Sequence, residues 1–203
     1  TDVPLQVGAA VRVETPQRIR FGASAGVLPE LYVDLINTAA VQAGAYDEDT
    51  ATLVKASLKR SLVLRAATGW RPFVRRGFYV EANYTWISLG GDVAGEDFVS
   101  LATGVDPPGG LAAQRKYDVD STLHLLGAEL GWEWTLRARP VRLRAGLGFA
   151  STIAAETTME PRFDPVAPAL VDRFTRESED YLDGIYLDYV HVPVVSLSAG
   201  WLF

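Results

Sequence analysis

The stretch from Thr122 to Ile153 alternates apolar with polar or small side chains around one short break. From Leu126 to Leu136 the even positions are apolar, and the odd positions carry Gly, Glu, Gly, Glu and Thr. After a break at residues 137–140 the pattern resumes, with apolar residues at odd positions and Arg, Gly or Ala at even ones. Because successive side chains of a β-strand point to opposite faces, this period of two predicts a hairpin of two long strands. One face requires an apolar environment, and the other requires a narrow polar interior.

Five other stretches show the same period, so the chain contains seven candidate strands. They lie at residues 5–13, 19–27, 62–71, 78–86 and 189–203. Most exceed the length of about five or six residues that is typical of strands in globular proteins. A tilted strand that crosses a membrane needs about nine to eleven residues. The chain is therefore predicted to be all-β and antiparallel, in a single domain.

Short and long connections alternate between these strands. Short turns are predicted at residues 15–17, 72–77 and 137–140, and long loops at about 29–58, 90–120 and 152–188. Loops of this length are uncommon in compact domains. The order predicts an up-and-down meander with one plain edge and one elaborated edge.

Helical segments are predicted in the long loops. In the first loop, residues 30–36 and 50–56 have the pattern of two short helices around an acidic turn at residues 46–49. In the third loop a helix is predicted from Ala169, with these apolar residues along one side: Leu170, Phe174, Tyr181, Leu182 and Ile185. Such faces must pack on one another as a cap over the strands, or bind a partner.

Composition narrows the classes of function. The 203 residues suit one domain or one barrel. No run approaches the eighteen or so apolar residues of a transmembrane helix, and the absence of cysteine excludes a disulfide framework and thiolate chemistry. The net charge of -6 argues against a nucleic-acid partner, because phosphate binding needs a basic surface.

The long alternating strands, the two classes of connection and the C-terminal strand Ser196–Phe203, which ends on an aromatic residue, resemble small eight-stranded outer-membrane β-barrels of Gram-negative bacteria. The resemblance implies a barrel surrounded by outer-membrane lipid, with the C-terminus and short turns in the periplasm and the long loops extracellular. It also implies that the barrel-insertion machinery recognises the strand ending at Phe203. The resemblance covers the strands, less than half of the chain, and does not extend to the loops.

On this interpretation the apolar face meets lipid, and aromatic residues form two girdles at the membrane interfaces. The predicted interface aromatics are Trp70, Tyr84, Trp86, Trp132, Trp134, Trp201 and Phe203. The opposite face lines a tight interior filled by ion pairs. The candidate residues are Arg12, Arg18, Arg20, Arg65, Arg71, Glu81, Glu129, Glu133, Arg142 and Arg144, with Glu14 on the same face. The competing interpretation is a soluble β-sandwich or ligand-binding barrel with its apolar face turned inward.

The strand count poses a question, because bacterial single-chain barrels have an even number of strands. The favoured explanation is that an upstream strand is absent from this sequence, through processing, incomplete assignment or contribution by another chain. The alternative is a strand hidden in a loop, since residues 185–187 continue the parity of the last strand.

Few residues point to catalysis or ligand binding. His124 and His191 fall on the outward face near the long-loop edge, beside Ser121 and Asp188, where a lipid-modifying or proteolytic site is one interpretation. A ring of interfacial side chains at headgroup depth is the favoured one. The acidic turn at residues 47–49 lacks the alternating oxygen ligands of a calcium loop. No catalytic residue, metal site or cofactor is predicted.

The sequence therefore predicts a non-enzymatic outer-membrane barrel that acts as a scaffold, anchor or surface recognition element with a structured extracellular cap. One alternative is a narrow porin-like channel for small solutes, in which Glu133 and Arg144 gate or conduct. A less favoured alternative is a membrane-embedded lipid-modifying enzyme or protease. The predicted protein partner binds the long loops or supplies the missing strand.

Overall fold

The computed structural model describes residues 2–3, 5–29, 33–34, 38, 41–42, 60–73, 77–94, 116–136, 140–165 and 168–201. The strands are β1 (Asp2–Val3), β2 (Val7–Glu14), β3 (Ile19–Val27), β4 (Arg60–Phe73), β5 (Phe78–Ala94), β6 (Lys116–Thr135), β7 (Val141–Pro161) and β8 (His191–Trp201). One long helix, α1 (Pro168–Tyr189), lies between β7 and β8.

The strands form one antiparallel sheet in the order β1-β8-β7-β6-β5-β4-β3-β2. The seven strands from β2 to β8 follow the chain order, so the prediction of an antiparallel up-and-down meander is confirmed. The sheet is curled, and the N-terminal segment forms both of its edges. At one edge β1 pairs with β8, and at the other β2 pairs with β3. The curled sheet is compatible with a β-barrel.

Ladder rows connect residues of one character across the curled sheet. Along one outward row, Ile19 pairs with Trp70, Trp70 with Val80, Val80 with Leu130, Leu130 with Leu147, and Leu147 with Val195. All six side chains are exposed. The neighbouring inward row carries Arg20, Gly69, Glu81, Glu129, Gly148 and Val194. The two faces that the sequence separates by parity are therefore the outside and the inside of one curled sheet.

Three strands are longer at the loop edge than the sequence predicts. β5 continues to Ala94, β6 begins at Lys116 and β7 continues to Pro161. The predicted connections at 90–120 and 152–188 were therefore too long. In β7 the register shifts, with Leu125 opposite Thr152 and His124 opposite Ala154, so an extra residue exchanges the two faces of the strand. Beyond this bulge the alternation continues in the opposite phase, which hides it in the sequence.

α1 begins where the sequence predicts but lasts longer. It includes Tyr189, which was wrongly assigned to the last strand, and residues 185–187, which are helical and form no hidden strand. The predicted apolar side was wrong in part, because Leu170 is 71% exposed and Tyr181 is 41% exposed. The buried residues of α1 are Thr175, Ser178, Leu182, Ile185 and Tyr186.

Several predictions fall on the first two loops. In the first loop the described Val33 and Asp34 are helical, as are Val41 and Gln42, whereas the predicted helix at 50–56 and the acidic turn lie outside the described residues. The loop between β5 and β6 also lies outside them. No helix in the described part of the chain is long and apolar enough to cross a membrane.

Candidate functional site

The interior near the short turns contains a buried ion-pair cluster, which we call the polar half. At its centre Glu81 and Glu129 are direct neighbours in the β5–β6 ladder. Two carboxylates in this position repel each other. Arg144 offsets the repulsion, since its Nη2 atom lies 2.6 Å from a carboxylate oxygen of each. All three side chains are at most 5% exposed.

Tyr79 completes this centre through its hydroxyl group and its ring. Its hydroxyl donates a hydrogen bond of 2.6 Å to Glu129 and accepts one of 2.6 Å from Nε of Arg144. The Arg144 guanidinium also lies over the Tyr79 ring, 4.1 Å from its centroid. Ser196 donates a further hydrogen bond of 2.7 Å to Glu129. Because each charge has several partners, the cluster offsets part of the cost of removing these groups from water.

Glu133 forms a second centre closer to the turns. Its carboxylate lies 2.5 Å from Arg20, 3.3 Å from Arg71 and 3.7 Å from Arg142. Arg71 extends this group to Glu14 at 2.7 Å. Glu133 and Arg144 are opposite each other in the β6–β7 ladder, yet their ion pairs belong to different centres.

Glycines provide the space for these large side chains. Tyr79, Gly131, Gly146 and Ser196 follow one another in a ladder row. A Cβ atom at Gly146 would lie 2.6 Å from both the Tyr79 hydroxyl and the Ser196 hydroxyl, too close for van der Waals contact. The glycines at inward positions of the strands thus leave the space that Tyr79 and the arginines occupy.

The predicted interior residues do not all enter this cluster. The structure brings together Arg20, Arg65, Arg71, Glu81, Glu129, Glu133, Arg142 and Arg144. Arg18 lies outside it, in the β2–β3 turn, where its φ is 68° and its side chain donates to the Pro72 carbonyl. Arg12 faces inward on β2 but is exposed, and it forms no ion pair with the described residues.

Three members of the ion-pair cluster were not predicted from the sequence. Asp2 forms an ion pair of 2.8 Å with Arg65, and Tyr79 and Ser196 bond to Glu129. The parity of β5 places Tyr79 on the same face as Glu81, which was the available signal. The two-residue strand that contains Asp2 gives no periodic signal.

The interior near the long loops is apolar, and we call it the apolar half. Val63, Leu125 and Leu123 are at most 2% exposed and continue the inward faces of β4 and β6. α1 packs on this layer through Leu182 and Tyr186. Glu179 accepts a hydrogen bond of 2.7 Å from the Met159 backbone, which fixes the helix to the projecting end of β7. The ion pairs among the predicted interior residues are therefore confined to the polar half.

Two carboxyl groups near the projecting strand ends have pKa values that are shifted in opposite directions. Arg162 pairs with Asp118 and, at 2.8 Å, with Asp92. Hydrogen bonding from Arg162 holds the pKa of Asp118 below its usual range. Asp183 on α1 has one buried oxygen without a partner among the described residues, and burial raises the pKa of its carboxyl group.

The predicted interface aromatics are on the outward face where the structure describes them. Trp70, Trp132, Trp134 and Trp201 lie near the short turns and are 48% to 72% exposed. Tyr84 and Trp86 lie nearer the loop edge, where Tyr84 is 40% exposed and Trp86 is half-buried. Phe203 lies outside the described residues.

Neither histidine belongs to a recognisable catalytic set. The His124 ring shares a hydrogen bond with the Tyr84 hydroxyl, and His191 shares one of 2.9 Å with Ser151. A serine beside a histidine is two thirds of an acyl-transfer triad. Within the described residues, however, no carboxylate bonds to either ring to orient it. The described His, Asp and Glu residues also form no group of three that could hold a metal ion.

No family model, no curated protein and no solved structure matches this chain.

Proposed function

We propose that this protein is an outer-membrane β-barrel of a Gram-negative bacterium, whose apolar outer face meets lipid. A water-soluble monomer rarely exposes a contiguous apolar patch larger than a few hundred Å². Here an uninterrupted ladder row from Ile19 to Val195 is apolar and exposed across six strands. The soluble alternative required the opposite arrangement, with charges outside and the aromatic residues inside.

The function that we infer is that of a non-conducting scaffold or anchor with a structured extracellular cap. The observation that carries this inference is that both halves of the interior are filled. Arg144, Glu129 and Tyr79 are each at most 5% exposed in the polar half, and Leu125 and Leu182 are at most 1% exposed in the apolar half. A small barrel has space for little more than its own side chains. Within the described strands these buried side chains leave little space for a solute, and among the described residues no carboxylate orients either histidine for hydrolysis.

The first experiment tests the barrel itself. We expect the protein, extracted in detergent, to migrate faster on a gel before heating than after it. A chain that is fully soluble without detergent and shows no heat-dependent migration would refute the membrane assignment.

The second experiment distinguishes the scaffold from a channel. In planar bilayers we expect no conductance from the natural protein. Steady conductance that changes with Glu133→Gln, but not with Leu130→Ala on the outside of the same strand, would refute the scaffold and support the channel. Leu130 is 50% exposed on the outward face and is therefore a suitable control.

The third experiment tests the orientation of the cap. The chain has no cysteine, so a single introduced thiol is the only reactive one. In intact cells we expect a membrane-impermeant maleimide to label Leu170→Cys on α1 and to leave Thr135→Cys, near the short turns, unlabelled until the cells are lysed. Both side chains are exposed, so burial does not explain a difference. Labelling of Thr135→Cys alone would reverse the proposed orientation.

A further inference from the structure

A small cavity remains in the polar half, on the inward side of β2, β3 and β4. Its volume is about 20 Å³, which is room for about one water-sized group. Small residues leave this space, since Ala10 of β2, Gly22 of β3 and Ala67 of β4 all line it. The space beside Gly146 is occupied by the Tyr79 side chain, whereas the space beside Gly22 is surrounded by charged groups.

The charged lining of this cavity has an excess of positive charge. It consists of three arginines and two carboxylates, namely Arg12, Arg65, Arg144, Asp2 and Glu81. Both carboxylates are paired, because Asp2 lies 2.8 Å from Arg65 and Glu81 lies 2.6 Å from Arg144. Arg12 carries the remaining charge, and it forms no ion pair with a described residue. One anion beside Arg12 would therefore balance the lining.

Arg144 lines the cavity, but each of its nitrogens already donates to the ion-pair cluster. Its Nε atom donates to the Tyr79 hydroxyl at 2.6 Å, and its Nη1 atom donates to Glu81 at 3.0 Å. Its Nη2 atom lies 2.6 Å from both Glu81 and Glu129. The donors for an additional anion must therefore come from other residues of the lining.

Three other residues of the lining provide these donors. The guanidinium group of Arg12 is the first. The second is Nε of Arg65, a buried atom that has no hydrogen-bond partner among the described residues, on a side chain that is only 8% exposed. The third is the Ser24 hydroxyl, which accepts a hydrogen bond of 2.8 Å from Gln6 and can donate its own hydrogen to a further acceptor.

We propose that this cavity binds a monatomic anion, which is chloride in a saline medium, between Arg12, Arg65 and Ser24. Size selects this class, because a carboxylate or a phosphate group has several heavy atoms and the cavity has room for about one. Charge selects an anion over water, because a water molecule would satisfy the donors but leave the excess positive charge in place. Arg12 is exposed, which gives the ion access from the solvent. The site depends only on inward-facing groups and does not rest on the membrane assignment.

Chloride titration of the detergent-solubilised protein tests the site. We expect the NMR line of chloride to broaden through exchange with the bound ion, and bromide to reverse the broadening by competition. Arg12→Gln should lower the affinity about tenfold, because a charged hydrogen bond to the ion is lost. Arg18→Gln is the matched control, since it removes the same charge from the β2–β3 turn, outside the cavity. Equal affinity in the two variants would show a diffuse counter-ion only and would overturn the proposal.

A change of volume without a change of charge gives an independent test. Gly22→Ala adds a Cβ atom that would lie 3.4 Å from Cγ of Arg12 and 3.8 Å from Cβ of Ala67, so the variant should fold. Because the added methyl group takes up part of the cavity, we expect the broadening of the chloride line to be lost. Gly200→Ala, whose Cβ atom meets nothing within 4 Å, should bind chloride like the natural protein.

Crystals grown with bromide give the position of the ion. We expect an anomalous peak between Arg12 and Arg65 in the natural protein and in Gly200→Ala, and none there in Gly22→Ala. Bromide found only at other positions, or chloride broadening that Gly22→Ala leaves unchanged, would overturn the proposal. Heat-dependent migration of the same samples tests the membrane assignment separately.

Discussion

The polar and apolar halves of the interior are filled by different means within one set of strands. Near the short turns, Glu81 and Glu129 depend on Arg144, and most contacts are directional and charged. Near the loops, Leu125 and Leu182 pack without hydrogen bonds. The polar half can be formed by strand side chains alone, whereas the apolar half needs α1 to cover it. The strands therefore form a base that directional ion pairs hold together. The cap is built on the other half, where the packing is apolar and nondirectional.

The largest effect should follow from breaking the polar half with Arg144→Met. This change leaves Glu81 and Glu129 adjacent, buried and without their shared cation. We expect a loss of about 3–5 kcal/mol in the free energy of unfolding, the usual result of removing one partner from a buried ion pair. Urea unfolding in lipid vesicles, followed by tryptophan fluorescence, measures it. Arg18→Met, in the β2–β3 turn, is the control, and an equal loss in both variants would contradict the role of the cluster.

A somewhat smaller effect is expected from Leu182→Ala, which breaks the apolar half. Leu182 is 1% exposed, and its truncation should cost about 2–4 kcal/mol through lost burial and a cavity. Because the cavity lies under α1, hydrogen exchange should increase in α1 and leave the polar half of β6 protected.

The control for this second change is Leu170→Ala, on a side chain that is 71% exposed, for which we expect almost no loss. Increased exchange throughout β6 in Leu182→Ala would show that the two halves unfold as one unit and would remove the distinction between base and cap.

Gly146→Ala tests how tightly the polar half is packed. The new Cβ atom would lie 2.6 Å from the Tyr79 and Ser196 hydroxyls, so we expect a loss of about 1–3 kcal/mol from overpacking. Gly200→Ala on β8 meets nothing within 4 Å and serves as the control. If urea unfolding gave the same value for both variants, the close contact at Gly146 would not matter for stability.

The smallest effects are pH responses at the projecting strand ends. The pKa of Asp118 is lowered in the folded protein, so its stabilisation is present above the usual carboxyl range and is lost as the pH falls through its folded value. The pKa of Asp183 is raised, so its contribution is present at low pH and is lost as the pH rises through its folded value. Hydrogen exchange of α1 at pH 7 should increase slightly in Asp118→Asn and decrease slightly in Asp183→Asn. Changes of the same sign in both variants would contradict this assignment.

The strands were predictable because their two faces differ strongly in polarity. Leu, Trp and Phe alternate with Gly, Arg and Glu along β6 and the first part of β7, and the observed register follows that contrast. Beyond Ile153 the chain continues with Ala, Thr and Glu after a bulge that reverses the phase, so the end of β7 was not predictable from alternation.

The interior was less predictable than the strands. Parity identifies an inward residue but not its height in the sheet, and ion-pair partners come from strands that are distant in sequence, as Arg20 and Glu133 are. The sequence shows Val63, Leu123 and Leu125 on the inward face of their strands. Their role as a core layer depends on α1, whose position over the apolar half results from tertiary packing that no local pattern encodes.

The pairing of Asp2 with Ser196 also has a kinetic consequence. Every other pair of the described strands joins neighbours in the chain, so those hairpins can form as soon as their two strands are available. The contact between β1 and β8 joins segments that are far apart in the sequence, and loop-closure entropy opposes it until the intervening strands are ordered. The pairing of β1 with β8 should therefore be the last event of assembly, and the intermediate before it is an open sheet whose two edges are exposed to other chains.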